Sequence, residues 1–253
     1  MQLDRQLPIL VTGAAGRIGR GVVAALVGAG WRVRGFDLRP SRLATESLIA
    51  DLADTAAVAK ACSGTGAVIH LGGVPDDEDF LTRLLPSNIV GTYNVLEGAR
   101  AAGVTRVLLA SSGQVQWWQQ KGGPWPVHAH DPYTPRHWYA AGKIFLEAAA
   151  MGYGHDFGMT VLALRLGWCP RNQQHIDEVA STPVGPDIYM SPADAGRFCV
   201  RAIEADLKPG FSVMYVASRP VKNTVLDLSV AKQLLGWEPT DQWPTGATEG
   251  MEA

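Results

Sequence analysis

Through the first two-thirds of the chain, short runs rich in Val, Ile and Leu alternate with Ala-rich stretches whose apolar residues recur at helical spacing. That alternation constrains the fold more than any other feature. Parallel strands cannot be joined by a tight hairpin, so each pair needs a crossover between them. "LPILVTG" reads as a first strand, and Ile18, Val22, Val23 and Leu26 form the apolar stripe of the helix that follows. "WRVRGFD", "SLIADL", "AVIHLGG", "TRVLLASS" and "MTVLALRLG" read as further strands. Helical stretches fall at 54–62, 87–103 and 135–158, with Asp54 placed to cap the first of them. The expectation is an α/β fold, a doubly wound parallel sheet covered on both faces.

The turn between the first strand and its helix is "TGAAGRIGRG", which places Gly13, Gly16, Gly19 and Gly21 within nine residues. A helix N-terminus presents unpaired N–H groups and the positive end of its dipole, a setting suited to an anion. Gly13 permits the tight turn, Gly16 lets a diphosphate approach the backbone, and Gly19 lets helix and strand pack closely. Asp37 ends the second strand about 20 residues further on, where a carboxylate accepts hydrogen bonds from an adenosine ribose. It would repel a 2′-phosphate, which favours NAD over NADP, although nearby Arg39 keeps NADP open.

"WYAAGK" places Tyr139 and Lys143 four apart, on one face of a helix. A phenol titrates near ~10 and is a poor base at neutral pH. A neighbouring ammonium, together with an oxidised nicotinamide, would stabilise the phenolate and lower that value. Ser112 ends the fifth strand at the same edge of the sheet, placed to hydrogen-bond a reacting oxygen. These three are the expected catalytic residues.

Composition removes several classes of function. A net charge of −2 offers no basic excess to hold a phosphate backbone, so nucleic acid is not expected as a partner. The apolar runs are too short to span a bilayer, so no membrane partner is expected. The chain enters its first strand directly, leaving no room for a signal peptide. Cys62, Cys169 and Cys199 are few and scattered, which suits reduced thiols packed as small apolar groups in a cytoplasm. His128 and His130 lie in a loop without a carboxylate cluster, so no metal is expected. Acidic "PDDED" at 75–79 reads as a solvated helix entry.

Taken in order and spacing, "TGAAGRIG", "DLAD", "HLGG", "NIVGTYNVLEGAR", "ASSG", "YAAGK" and "LLGWEP" resemble the extended short-chain dehydrogenase/reductases, the NAD-dependent epimerase/dehydratase family, with a Rossmann fold. "RLGWC" and a short C-terminal region resemble the uronate dehydrogenases in particular. The resemblance implies that Gly13, Gly16, Arg17, Ile18 and Asp37 hold NAD, with Asp51 and Leu52 flanking the adenine. It also places Leu71 and Gly72 along the cofactor, with Asn88 supporting the site and Ser112, Tyr139 and Lys143 catalytic. Where uronate dehydrogenases use three polar residues to grip the sugar acid, this chain has Pro75, Gly113 and Trp168, with Arg171 nearby.

On this reading residues 1–169 form a dinucleotide-binding core, and 170–253 form a small substrate-binding cap interleaved with it. The cap contains a helix from Ser191 with Pro192 in its first turn, a strand in "GFSVMYVAS" and a short helix in "DLSVAKQLLGW". Five of the eight tryptophans, Trp117, Trp118, Trp125, Trp138 and Trp168, fall in segments expected to rim or pack beside the site. The expected function is NAD-dependent oxidation of a sugar or sugar-acid-like alcohol, a small-molecule substrate. Sugar epimerase or dehydratase activity, or NAD sensing without turnover, are the alternatives. A homodimer is expected, paired through the helices around 88–102 and 136–151.

Overall fold

The computed structural model describes residues 3–249. Seven strands, β1 (Ile9–Thr12), β2 (Val33–Asp37), β3 (Glu46–Ile49), β4 (Ala67–His70), β5 (Arg106–Ser112), β6 (Thr160–Leu166) and β7 (Gly210–Val216), form one sheet ordered β3-β2-β1-β4-β5-β6-β7. Every neighbouring pair is parallel. Strand order reverses between β1 and β4, and ligands of such sheets bind in the crevice beyond the carboxyl ends at that point.

The helices are α1 (Arg17–Gly28), α2 (Thr55–Cys62), α3 (Gly91–Ala101), α4 (Trp117–Gly122), α5 (Trp138–Asp156), α6 (Gln173–Ser181), α7 (Pro192–Glu204) and α8 (Ser229–Leu235). On one face of the sheet Val22, Val23 and Leu26 of α1 pack with Phe198, Ala202 and Ile203 of α7. On the other face Val58 of α2, Val95 and Leu96 of α3, and Leu146 and Ala150 of α5 build a second core. Both faces of the strands are thus buried, which is why β1, β4 and β5 are buried at every position and apolar in their middles. Helices α1 and α7 approach closely enough that a Cβ on Gly21 would lie 2.5 Å from the Pro192 carbonyl oxygen. The fourth glycine of the turn therefore serves helix packing.

Local signals place the helix ends. The Asp54 carboxylate accepts from Ala57 N at the start of α2, and Ser191 Oγ accepts from Asp194 N ahead of Pro192 in α7. The helix expected at 87–103 begins earlier, as a π-helical segment Phe80–Val90 that runs into α3. Asp79 caps it, and the wider turn accommodates Pro86, whose ring would break a regular helix. Helices α4 and α6 are short, six and nine residues, and each buries a single residue, Gln120 and Val179.

Within 170–249, β7 extends the sheet beside β6 and α7 covers α1, while Arg171, His175 and Glu178 border the crevice. The buried Asp194 carboxylate accepts from Ser218 Oγ, Thr240 N and Asp241 N, tying the following segment to α7. Among the described residues no helix is long and apolar enough to cross a membrane.

Candidate active site

The glycine turn divides into two kinds of position. Gly13 has φ +68, and a Cβ there would meet Gly72 N at 2.7 Å; a Cβ on Gly19 would sit 2.0 Å from Gly13 O. Chain-on-chain contact requires both glycines. A Cβ on Gly16 would touch only Gly13 O, at 3.1 Å, and Gly16 borders the crevice. Its N–H donates to Gly13 O (3.0 Å), and the missing side chain leaves steric room for a ligand beside it. Arg17 and Ile18 border the same space. Arg17 Nη2 donates to Gly246 O (3.1 Å) and Ala247 O (2.6 Å), while Nε and Nη1 are buried without a partner. Unused donors of a cation beside a helix N-terminus that has no side-chain cap are suited to an anion. The turn fits a dinucleotide diphosphate.

Asp37 closes β2 beside this turn, its carboxylate accepting from Ala15 N (3.0 Å) and Arg39 N (3.1 Å). Asp51 is exposed and holds its own turn through Ala53 N. Leu52 is buried, and its carbonyl accepts from Asn94 Nδ2. Leu71 borders the crevice, whereas Gly72 lies behind it with its N–H on Thr12 Oγ1. Asn88 bonds both N–H and C=O of Val74, fixing the loop after β4. The crevice itself is lined by Gly13, Gly16, Arg17, Ile18 and Leu71, but not by Asp37, Asp51, Leu52, Gly72 or Asn88.

Ser112, Tyr139 and Lys143 all line it. Ser112 ends β5, and His137 caps α5 by accepting from Ala140 N, which sets Tyr139 in the first turn of α5 and Lys143 in the next. The buried Lys143 Nζ donates to Ala110 O (2.7 Å) and lies 5.6 Å from the Tyr139 ring centroid. Burial drives the Lys143 ammonium down to about 8, against a smaller upward pull from Glu147. Burial likewise pushes the Tyr139 phenol up to about 12. The Ser112 hydroxyl, within hydrogen-bonding reach, pulls it down; Asp76 raises it and Arg171 lowers it. Among the protein's own groups, then, burial outweighs the lowering expected from the lysine, whose proton is directed to a carbonyl. His70 is buried behind the lysine with Nδ1 2.7 Å from Thr12 Oγ1, and burial, then Lys143, holds it neutral with a pKa of about 3.

These groups share one cavity of about 790 Å³, which runs from the glycine turn to the loops after β4, β5 and β6. Pro75, Gly113, Trp168 and Arg171 all line its far end. Of the five tryptophans, Trp117 and Trp168 line it; Trp138 packs at a tilt against Phe80 (5.0 Å), the Trp125 indole donates to Gln120 O, and Trp118 is exposed. His128 pairs instead with Asp227. Several lining residues were not expected at the site, among them His175, Glu178, Gln114 and Asp76, the last read from the sequence only as part of a solvated helix entry. Asp76 pairs with Arg171 and has φ +62, the one positive φ among the described non-glycine residues. Gln114 lies two residues after Ser112, and its side-chain oxygen is buried without a partner. A non-glycine residue at positive φ is the only local hint for Asp76, and it appears only in three dimensions.

The NAD dependent epimerase/dehydratase family model matches residues 9–169. The chain is 30% identical to the L-arabinose 1-dehydrogenase (NAD(P)(+)) of Haloferax volcanii, over 94% of this chain and 98% of that protein. It is 34% identical to the uronate dehydrogenase of Pseudomonas putida, over 63% of this chain and 60% of that one. Among solved structures, the uronate dehydrogenase of Agrobacterium tumefaciens superposes with a TM-score of 0.76 at 29% identity, covering 98% of this chain and 90% of that chain. A mutant of that enzyme complexed with NAD gives the same TM-score of 0.76 at 28% identity, covering 98% and 91%.

Proposed function

The chain belongs to the NAD-dependent epimerase/dehydratase family, and from that premise we propose that it is an NAD-dependent dehydrogenase of the extended short-chain type. It oxidises a sugar or sugar-acid-like alcohol through Ser112, Tyr139 and Lys143. One observation carries this reading: a single cavity joins the Gly16 turn to the Ser112–Tyr139–Lys143 group. Relatives named for the oxidation of L-arabinose and of uronates support the substrate class.

The turn from Gly13 to Ile18 holds the cofactor diphosphate, with Arg17 donating from its two free nitrogens and Asp37 taking the ribose hydroxyls. NAD, when bound, supplies the two-electron acceptor for the hydride lost by the carbinol carbon. Tyr139 Oη takes the proton of the substrate hydroxyl, and Ser112 Oγ orients that oxygen. Lys143 contributes a positive charge about one helix turn from the phenol, favouring the deprotonated form that catalysis needs. Trp117 and Trp168 wall the far end against water. When the hydroxyl is that of a cyclic hemiacetal, the product is a lactone.

The segment after 170 acts as the substrate cap, through Arg171, His175, Glu178, Ile188 and Leu226. Exposed Val90 and Tyr93, with exposed Phe145 and Met151 on α5, supply apolar faces through which two copies pair. NADH absorbance across a panel of aldoses, uronates and simple alcohols tests the activity. Stoichiometric NADH is the expected result, whereas an epimerase or dehydratase would recycle its cofactor and accumulate none.

A further inference from the structure

The far end of the cavity is built to receive hydroxyl groups rather than a carboxylate. Arg171, from the loop after β6, is the residue placed to attract an acid, yet its guanidinium is paired with Asp76 from the loop after β4. Asp76 holds that position at φ +62, a conformation costly for a residue with a side chain and tolerated best by Asp, Asn and Gly. Asp77 and Glu178 add two further carboxylates to the rim. The other cations and histidines there are engaged or peripheral. Arg136 lies 5.3 Å over the Trp117 ring, His137 caps α5 within 3.8 Å of Asp77, and His175 Nδ1 accepts from Arg171 N (3.4 Å).

The remaining surface is apolar or accepting. Trp117, Trp168 and Leu226 offer flat or aliphatic faces for the C–H side of a sugar ring. Gln114 lines the cavity and its buried side-chain oxygen has no partner, so a hydroxyl donor would satisfy it.

We propose that Asp76, by occupying Arg171, selects an uncharged aldose over the corresponding sugar acid. The inference rests on the dehydrogenase reading above and narrows it. Asp76 acts as a charge filter: hydroxyls donate to its free oxygen and to Gln114, while an incoming carboxylate meets a site already neutralised. Both members of the pair are partly solvent-exposed, with side chains 39% and 48% accessible, so the discrimination is moderate rather than absolute.

The test measures kcat/KM by NADH formation for matched substrates, galactose against galacturonate and glucose against glucuronate. The unsubstituted protein should favour the aldose of each pair by about tenfold or more. Asp76→Asn keeps a residue that tolerates the backbone conformation and releases Arg171, so the uronate-to-aldose ratio should rise by about tenfold. Asp76→Gly provides a second release that also relieves the backbone. Adding Arg171→Met to either should return the ratio to its starting value. Equal turnover of both classes by the unsubstituted protein overturns the proposal. So does a ratio that Asp76→Asn and Asp76→Gly leave unchanged. NADH from neither class sinks the dehydrogenase reading itself, a different result from the other two.

Discussion

Two buried cations meet at helix α5, Lys143 carried by the helix itself and Arg165 paired with Glu147 one turn further on, and they are treated in opposite ways. Arg165, on β6, has a full set of partners. Its Nε and Nη2 grip both oxygens of Glu147 at 2.9 and 2.8 Å, and Nη1 donates to Gln116 Oε1 (2.7 Å) and Ala129 O (2.8 Å). Burial opposes its charge, but Glu147 outweighs burial and the arginine is held more firmly protonated. Ser111 and Tyr133 donate to the remaining capacity of Glu147. Lys143, four residues before Glu147 on α5, donates to Ala110 O (2.7 Å), and burial brings it down to about 8. A charge whose bonding capacity is filled holds a scaffold together. A charge left short of partners in the same dry interior is costly to the fold and available to chemistry. Tyr139, Lys143 and Glu147 thus form one polar stripe on α5, with reaction at its amino end and architecture behind it.

The sharpest way to break that division is at its reactive end. Tyr139→Phe removes the proton acceptor and nothing else, so kcat should fall by about 10³-fold while dinucleotide affinity stays within a few-fold. Stopped-flow turnover and titration calorimetry would read both. A variant that kept most of its turnover would move the chemistry elsewhere in the cavity.

At the architectural end, Glu147→Gln leaves the buried Arg165 guanidinium without its countercharge and should cost about 3–5 kcal/mol of stability in urea unfolding. Replacing both partners, as Glu147→Leu with Arg165→Met, should recover most of that loss, because neither charge is then left unpaired. A small loss for the single variant would mean that the pair is better hydrated than its burial indicates.

Lys143→Met should behave in the reverse sense. The native state holds this lysine at about 8 against an ordinary 10.5, so the unfolded chain binds the proton more tightly. Native stability is therefore undiminished above 10.5, declines as pH falls toward 8, and stays lowered below it. The difference corresponds to about 3 kcal/mol at pH 7. Methionine removes that penalty: the melting temperature should rise near neutrality, the gain should vanish near pH 11, and turnover should drop sharply. A destabilised Lys143→Met would place Lys143 with Arg165 as scaffold.

How far the sequence anticipates all this depends on the range of each interaction. The strands, the helices and the caps at Asp54 and Ser191 rest on neighbours a few residues away, and they read directly from apolar period and capping chemistry. The Tyr139–Lys143 relation is equally local, since a four-residue spacing on a helix fixes a shared face. Helices α4 and α6 are too short to stand out along the chain, and Pro86 hid the early start of the helical segment before α3. Asp76 and Arg171 stand 95 residues apart, and no pattern along the chain links them. The tyrosine illustrates the same limit in electrostatics. Its lysine neighbour is legible in the sequence, but the burial that dominates its pKa is a property of the assembled cavity.

The smallest effect is the most discriminating about what faces the phenol. Asp76 raises the Tyr139 pKa and Arg171 lowers it, beneath the larger upward push of burial and against the pull of Ser112. Alcohol oxidation needs the phenol to release its proton, so kcat/KM should climb with pH on the alkaline side. Asp76→Asn removes a charge that hinders that release and should move the limb to lower pH. Arg171→Met removes a charge that assists it and should move the limb to higher pH. Both side chains are partly exposed, so the displacements should be modest and should shrink as salt is added. Two limbs moving in the same direction, or neither moving at low ionic strength, would show that the pair does not face the reacting oxygen. Tyr139 would then belong to the apolar wall of the cavity rather than to its charged rim.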